Sequence, residues 1–360
     1  MDLFWFFHGW HSIHSHDRSS IRYHFITATT TTNSHTPIHV TMMRLLLLVL
    51  LCHCLCHSVQ AIRPIAIVTG GTRGIGSGMA TCLAQDGYDL LLTYNSNHEA
   101  AHAFVQQLHT RVPECRVAIV GGDVALPETR QQIWKCLEEE FPNTAPLKAL
   151  VHNAGQYVGI TAENSAGLTQ ETSARVVFGD GSLLKNDKNT NSTSTNFDTM
   201  HYYQKLYGEA FIDLCEHCIP RMKQHGGGSI IGTSSPGVTA AYYRPQVGYS
   251  MPGSGKSLME YSMRIYALQV ARHNINVNVI VPGVVQTDAW EKVAQAQGLQ
   301  NAQQLMERIR NNNNSNNNNN PPSILQPRDI GHLAAFLCSE KGRFITGTVI
   351  PCDGGLHLQR

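Results

Sequence analysis

The sequence is short of charge. Asp, Glu, Lys and Arg make up 15% of its 360 residues, against roughly a quarter in ordinary soluble domains. What charge there is nearly cancels, since 27 basic and 26 acidic residues leave a net +1. No field of one sign exists to hold a polyanion, which argues against a nucleic-acid partner. Long hydrophobic runs are missing too. None approaches the ~20 residues needed to cross a bilayer, so no stable membrane span is expected in the mature chain. A disulfide framework is also absent. Three of the ten cysteines sit close together as Cys52, Cys54 and Cys56, and the remainder form an odd set without framework spacing. Cys215 and Cys218 have a CxxC spacing, but they fall in an apolar helical pattern with Phe211, Leu214 and Ile219. Core packing is the expectation there, with metal or redox chemistry the alternative and no metal site expected.

The apolar fraction, 42%, is too high for a wholly disordered chain. Low charge without extra apolar content means neutral polar filler, and three tracts supply it. Residues 1–41 are rich in His, Ser and Thr. A second tract runs from about Thr161 to Asn196 and ends in alternating Asn, Thr and Ser. A third, Asn311 to Asn320, holds nine Asn and one Ser before Pro321-Pro322. Such tracts bury too little apolar surface to offset their chain entropy, and mobility is expected of them. Polar insertions are therefore placed near 161–196 and 311–322.

Between the first tract and the remainder lies Met42-Met43-Arg44, then Leu45 to Leu51, then a stretch ending Val59-Gln60-Ala61. A basic start, a short apolar stretch and a small-residue end resemble a secretory signal with cleavage after Ala61. That segment, 43–61, points to the secretory pathway or to an organelle such as a plastid. A buried apolar helix in a cytoplasmic protein is the alternative. Residues 1–61 are read as a leader, and 62–360 as one domain.

From Ile62 onward short apolar runs alternate with amphipathic segments. The runs are Ile65–Val68, Leu90–Tyr94, Val117–Val120, Ala149–Val151, Ser229–Gly232, Val277–Val281 and Gly347–Ile350. Helical patterns between them include Gly78–Gln85, Ala100–Leu108 and Gln131–Glu139. Continuous apolar strands separated by helices predict a parallel sheet covered on both faces. The fold class is α/β, a doubly wound parallel sheet of the Rossmann type in a single domain.

The first run is followed by Thr69-Gly70-Gly71-Thr72-Arg73-Gly74-Ile75-Gly76. A glycine turn opening a helix lets backbone N–H groups approach a diphosphate, and the helix dipole favours negative charge there. The strand before and the helix after are both in place. Preference for NAD uses an acid at the tip of the second strand. Here that tip reads Thr93-Tyr94-Asn95-Ser96, with no acid, while Arg73 offers a guanidinium to a 2′-phosphate. The cofactor expected is NADP(H), with NAD(H) the alternative. Asp123, after the third strand and before Val124, either bonds the adenine or caps its own turn.

These motifs together resemble the short-chain dehydrogenase/reductase family from about Ile62 to the C-terminus. Thr69 to Gly76 reads as its TGxxxGIG loop. His152-Asn153-Ala154-Gly155 resembles its NNAG motif, with His for the first Asn. Ser234-Ser235 follows a strand, as the family's catalytic serine does. Pro282-Gly283 with Thr287 resembles its PGxxxT segment, and Asp353-Gly354-Gly355 its terminal turn. The resemblance implies cofactor contacts from Gly70, Thr72, Arg73, Gly74, Ile75 and Gly76. It extends them to Asp123, Val124, Asn153, Ala154, Gly155, Tyr249, Lys256, Pro282, Gly283 and Thr287.

The family's common Tyr-x3-Lys pair fails here, because Gly253 stands four residues after Tyr249. Lys256 gives Tyr-x6-Lys instead, a spacing that resembles the enoyl-thioester (enoyl-ACP) reductase branch. A ketone reductase protonates the oxygen on the carbon that takes hydride. An enoyl reductase sends hydride to the β-carbon while charge develops on the more distant thioester oxygen, so its acid must stand farther away. Pro252 suits a first helical turn and not an interior. Tyr249 is therefore expected just ahead of a helix and Lys256 within it. The alternative is a local insertion that leaves the tyrosine in its ordinary place.

The resemblance implies the roles. Lys256 holds the nicotinamide ribose and lowers the tyrosine's pKa, Tyr249 supplies the hydrogen bond or proton, and Ser235 orients the carbonyl, with Ser234 as alternative. Tyr242 and Tyr243 either assist or pack a loop. The family's relay Asn in the preceding helix has no counterpart near Lys205–Gly208. The preferred substrate is an enoyl thioester (enoyl-ACP or enoyl-CoA), placing the protein in fatty acid metabolism. A 3-oxoacyl thioester or another carbonyl compound is the runner-up, and a non-catalytic NADP(H)-binding sensor a further alternative. A homodimer or homotetramer is expected by resemblance.

Overall fold

The computed structural model describes residues 62–142, 144–155, 184–186, 193–195, 198–236, 238, 250–296, 298–315 and 324–358. The leader 1–61 with its segment 43–61, most of the tract from Thr161, and Tyr242, Tyr243 and Tyr249 lie outside the described residues.

All seven apolar runs form strands of one sheet. They are β1 (Ile65–Thr69), β2 (Asp89–Tyr94), β3 (Val117–Gly121), β4 (Leu147–His152), β7 (Gly228–Thr233), β8 (Ile275–Pro282) and β9 (Val349–Cys352). β5 (Leu184–Asn186) and β6 (Thr193–Thr195) make a separate antiparallel pair. The order in the large sheet is β3-β2-β1-β4-β7-β8-β9, with every pairing parallel. Chain order reverses direction between β1 and β4, and such a switch opens a crevice at the carboxyl ends of the strands.

The helices are α1 (Gly74–Gln85), α2 (His98–Arg111), α3 (Pro127–Glu140), α4 (Asp198–Tyr203), α5 (Ala210–Gln224), α6 (Ser250–Val270), α7 (Ala289–Ala296), α8 (Ala302–Ser315) and α9 (Pro327–Cys338). A six-residue π-helical turn, Gln204–Glu209, joins α4 to α5. Alternate residues of each strand supply the two cores. Ile65, Ile67, Leu91, Leu150, Val277 and Val279 face Ile133 of α3, Phe211 and Leu214 of α5 and Met259 and Met263 of α6. Ala66, Val68, Leu90, Leu92, Val151 and Ile280 face Met79 and Leu83 of α1, Leu108 of α2 and Ile330 and Leu337 of α9. Burial on both faces explains why the strands read as unbroken apolar runs. Cys215 and Cys218 are fully buried in the first of these cores, as expected for packing residues.

Two of the polar tracts contain regular structure. The backbone of α8 continues through Asn311 to Ser315, carrying the helix begun by Leu305 and Met306 into the Asn run. The second tract contains the β5–β6 pair.

Candidate active site

The glycine loop, His152–Gly155, the serine pair and the Pro282–Thr287 segment all follow carboxyl ends of strands. Thr69 pairs with His152, and His152 with Gly232, so the ends of β1, β4 and β7 lie side by side. The glycine loop is stitched to both neighbours. Gly70 N donates to Thr93 Oγ1 at 3.0 Å, and Gly71 N to Thr93 O at 3.0 Å. Asn153 Nδ2 donates to Thr69 O at 3.3 Å and Gly70 O at 3.2 Å. A Cβ on Gly76 would lie 2.1 Å from Gly70 O, so only glycine lets α1 begin this close to the loop. Arg73 is the N-cap of α1 and caps nothing with its side chain. The first-turn N–H groups have no intrahelical acceptor. Exposed Arg73, at the head of these donors, makes a cradle that fits an anionic diphosphate.

The tip of β2 carries no acid. It carries Tyr94, whose hydroxyl meets His98 Nδ1 at 2.6 Å, and Asn97, which caps α2 through Ala100 N at 2.9 Å. His98 was not singled out from the sequence, although its place one position past that cap was the available signal. Asp123 accepts from Ala125 N and from the Tyr202 hydroxyl, both at 2.9 Å. Its turn-capping role is thus present. Val124 beside it is buried.

His152 is 1% exposed, and its tautomer follows from its partners. Nε2 lies 3.1 Å from Leu206 O, a pure acceptor, so Nε2 carries the proton. Nδ1 then accepts from the Thr69 hydroxyl at 3.0 Å. Thr69 Oγ1 in turn accepts from Asn153 N and Ala154 N, both at 3.0 Å. Burial pulls the imidazole pKa down to about 4, so the ring is neutral at physiological pH.

Lys256 projects from the second turn of α6 and is 6% exposed. Its Nζ donates to Thr233 O at 2.9 Å and lies 4.5 Å from the centroid of the Tyr207 ring. Burial draws its pKa down to about 7, opposed by the Glu260 carboxylate one turn on. The two serines after β7 differ. Ser234 is buried and donates to Glu260 Oε1, whereas Ser235 is only partly buried. Ser235 is the more exposed of the two. Lys256 and the serine pair are brought together at the end of β7. Tyr249 lies outside the described residues.

The last side of the crevice is the segment after β8. Gly283 N donates to Cys352 O at 3.0 Å. Thr287 closes over the glycine loop, since a Cβ on Gly74 would lie 3.6 Å from Thr287 Cγ2. Asp353 accepts from Gly355 N at 2.9 Å and His357 N at 2.8 Å, pinning the terminal turn beneath Gly283.

Comparisons with known proteins fit this arrangement. Residues 64–179 match a family model described as short chain dehydrogenase, and residues 183–357 one described as Enoyl-(Acyl carrier protein) reductase. An uncharacterized oxidoreductase of Mycobacterium tuberculosis is 29% identical over 294 residues, covering 81% of this chain and 91% of its own. A hydroxynaphthalene reductase-like protein of Metarhizium anisopliae is 27% identical over 297 residues, covering 81% and 94%. Among solved structures, L-sorbose reductase from Gluconobacter frateurii, complexed with NADPH and L-sorbose, superposes with a TM-score of 0.62. It is 22% identical, and the match covers 83% of this chain and 98% of that one.

Proposed function

The chain belongs to the short-chain dehydrogenase/reductase family of NAD(P)-dependent oxidoreductases, and on that premise we propose that it is an NADP(H)-dependent reductase of an enoyl thioester. The observation that carries the substrate reading is the start of α6. The helix begins at Ser250, and buried Pro252 occupies the position one turn before Lys256. A tyrosine four residues before the lysine would stand about 6 Å along the axis from it. Pro252 holds that position here, so the acid has to come from Tyr249, three residues earlier in the sequence. We read this longer spacing as that of an enoyl reductase, whose acid serves the thioester oxygen rather than the carbon that takes hydride.

NADPH, when bound, supplies the hydride. Its preference over NADH rests on exposed Arg73 at the head of α1 and on the acid-free tip of β2. The NADPH held by sorbose reductase, whose fold this chain shares, supports the same choice. Lys256 holds the nicotinamide ribose. Ser235 orients the carbonyl, and Tyr249 delivers a hydrogen bond or proton to its oxygen. Asp123 and Val124 border the adenine, while Asn153 to Gly155 and Pro282 to Thr287 border the nicotinamide half.

Carbonyl reduction is the second reading, favoured by the names of the hydroxynaphthalene reductase-like relative and of sorbose reductase. Oxidation of NADPH by the purified protein, with crotonyl and acetoacetyl thioesters offered side by side, separates them. Turnover of the crotonyl thioester is expected, and turnover of acetoacetyl alone refutes the enoyl reading.

A homodimer or homotetramer is supported by an apolar stripe on the outer face of α6. Tyr261, Ile265 and Leu268 recur at helical spacing, and Leu268 is 82% exposed. Among the described residues no helix is long and apolar enough to cross a membrane. Residues 43–61 are proposed to direct the chain into the secretory pathway or an organelle. A mature protein starting at Ile62 supports this, and one retaining Met43 refutes it.

A further inference from the structure

We propose that Tyr207 is a positioning residue for Lys256, and that His152 holds it there through the carbonyl of Leu206. The proposal rests on the reading of Lys256 as the lysine that grips the cofactor.

The argument starts at the π-helical turn. Six residues, Gln204–Glu209, take π-helical geometry between two α-helices, and Ala210 N closes the turn on Lys205 O. A π turn carries about one more residue per turn than an α-helix, so it rotates the side chains that follow. Such a turn persists where surrounding contacts hold it. His152 is one of those contacts, donating from Nε2 to Leu206 O at 3.1 Å, the residue next to Tyr207. The Thr69 hydroxyl fixes the opposite side of the imidazole at 3.0 Å. A bonded path therefore runs from the end of β1, where the glycine loop begins, through β4 to the π turn.

Packing then brings the turn onto α6. A Cβ on Gly255, beside the lysine, would lie 2.2 Å from Tyr203 O, and one on Gly208 would lie 2.4 Å from Leu258 Cδ2. The two helices approach this closely because glycine stands at both positions. Tyr203 stacks beneath Tyr207, with ring centroids 5.9 Å apart and planes 5° from parallel. Tyr207 is 2% exposed, so its ring has one place to be.

The ammonium of Lys256 is thereby fixed from two directions, by Thr233 O at 2.9 Å and by the Tyr207 ring face at 4.5 Å. A ring face at this distance attracts a desolvated cation. The other polar and charged groups around it are Glu260 on its own helix, neutral His152 on β4, and Tyr203 on α4. Thr233 O fixes one N–H, while the ring confines the ammonium laterally and supports its charge.

A series at position 207 tests the idea. Tyr207→Phe keeps the ring and should leave NADPH affinity, followed by fluorescence, within about threefold of wild type. Substituting mono-, di- and trifluorophenylalanine weakens the ring's negative face stepwise at nearly constant shape. NADPH affinity and kcat should then fall stepwise, reaching about tenfold at trifluorophenylalanine, while KM for the acyl thioester changes little. His152→Phe should weaken NADPH binding in the same direction. Combined with Tyr207→Leu, it should add less than its effect alone, since both act along one path. Flat affinity across the fluorinated series overturns the proposal, and so does full additivity of His152→Phe and Tyr207→Leu. Because NADPH affinity is read without turnover, a protein that binds NADPH but reduces neither thioester refutes the substrate reading and leaves this test intact.

Discussion

Ser234 donates its hydroxyl proton to Glu260, and that bond ties the end of β7 to α6 one turn beyond Lys256. The proposed roles of the two adjacent serines differ accordingly. Ser234→Ala removes a donor from a buried carboxylate and should cost about 2 kcal/mol of stability. Its kcat should stay within about threefold if Ser235 is the serine that orients the substrate, as proposed. Ser235→Ala should lower kcat at least about tenfold. Denaturant melts and steady-state kinetics on the pair decide it, and a swap of these outcomes would make Ser234 the acting serine.

Lys256 should make stability rise with pH above neutrality. Burial draws its pKa from 10.5 to about 7. Between those values the unfolded chain carries a proton that the folded chain lacks, so raising pH favours the fold. The slope approaches about 1.4 kcal/mol per pH unit in mid-window. Lys256→Met removes the titrating group. The stability difference between wild type and Lys256→Met should therefore move in favour of wild type from pH 7 to 9.5, and a pH-independent difference contradicts this.

His152 acts at the other end of the scale. Its pKa is drawn from 6.5 to about 4. Its contribution is fully present above 6.5 and is lost as pH falls toward 4. The full loss is about 3 kcal/mol. His152→Asn should flatten that acid limb in urea melts at pH 7 and pH 4.5.

Arg73 should govern the choice between cofactors. Arg73→Leu removes the cation offered to a 2′-phosphate and should raise KM for NADPH about tenfold or more, with KM for NADH nearly unchanged. Equal use of NADH and NADPH by the wild-type protein would remove the role given to this residue.

Much of the fold was legible because burial on both sheet faces writes each strand as an apolar run. All seven runs became strands, although the last begins two residues later, at Val349, where Gly347 takes a positive φ. The glycine loop, Asn153 to Gly155 and the Pro282–Thr287 segment were legible because close backbone approaches demand particular residue types at fixed spacing. Three features escaped. The π turn leaves an apolar 3.6-residue pattern intact on either side, so one shifted turn does not show. The Thr69–His152–Leu206 path joins residues distant in sequence, and only strand register brings them together. The helical start of the Asn run draws on Leu305 and Met306, residues that precede the run itself.

The central claim is that hydride goes to a carbon–carbon double bond. It is tested most directly by reducing a mixture of crotonyl and acetoacetyl thioesters with NADPH deuterated at the transferring position and locating the label. The account predicts deuterium on the β-carbon of butyryl thioester. Deuterium found only on the carbinol carbon of 3-hydroxybutyryl thioester, with the crotonyl thioester recovered unchanged, would contradict it.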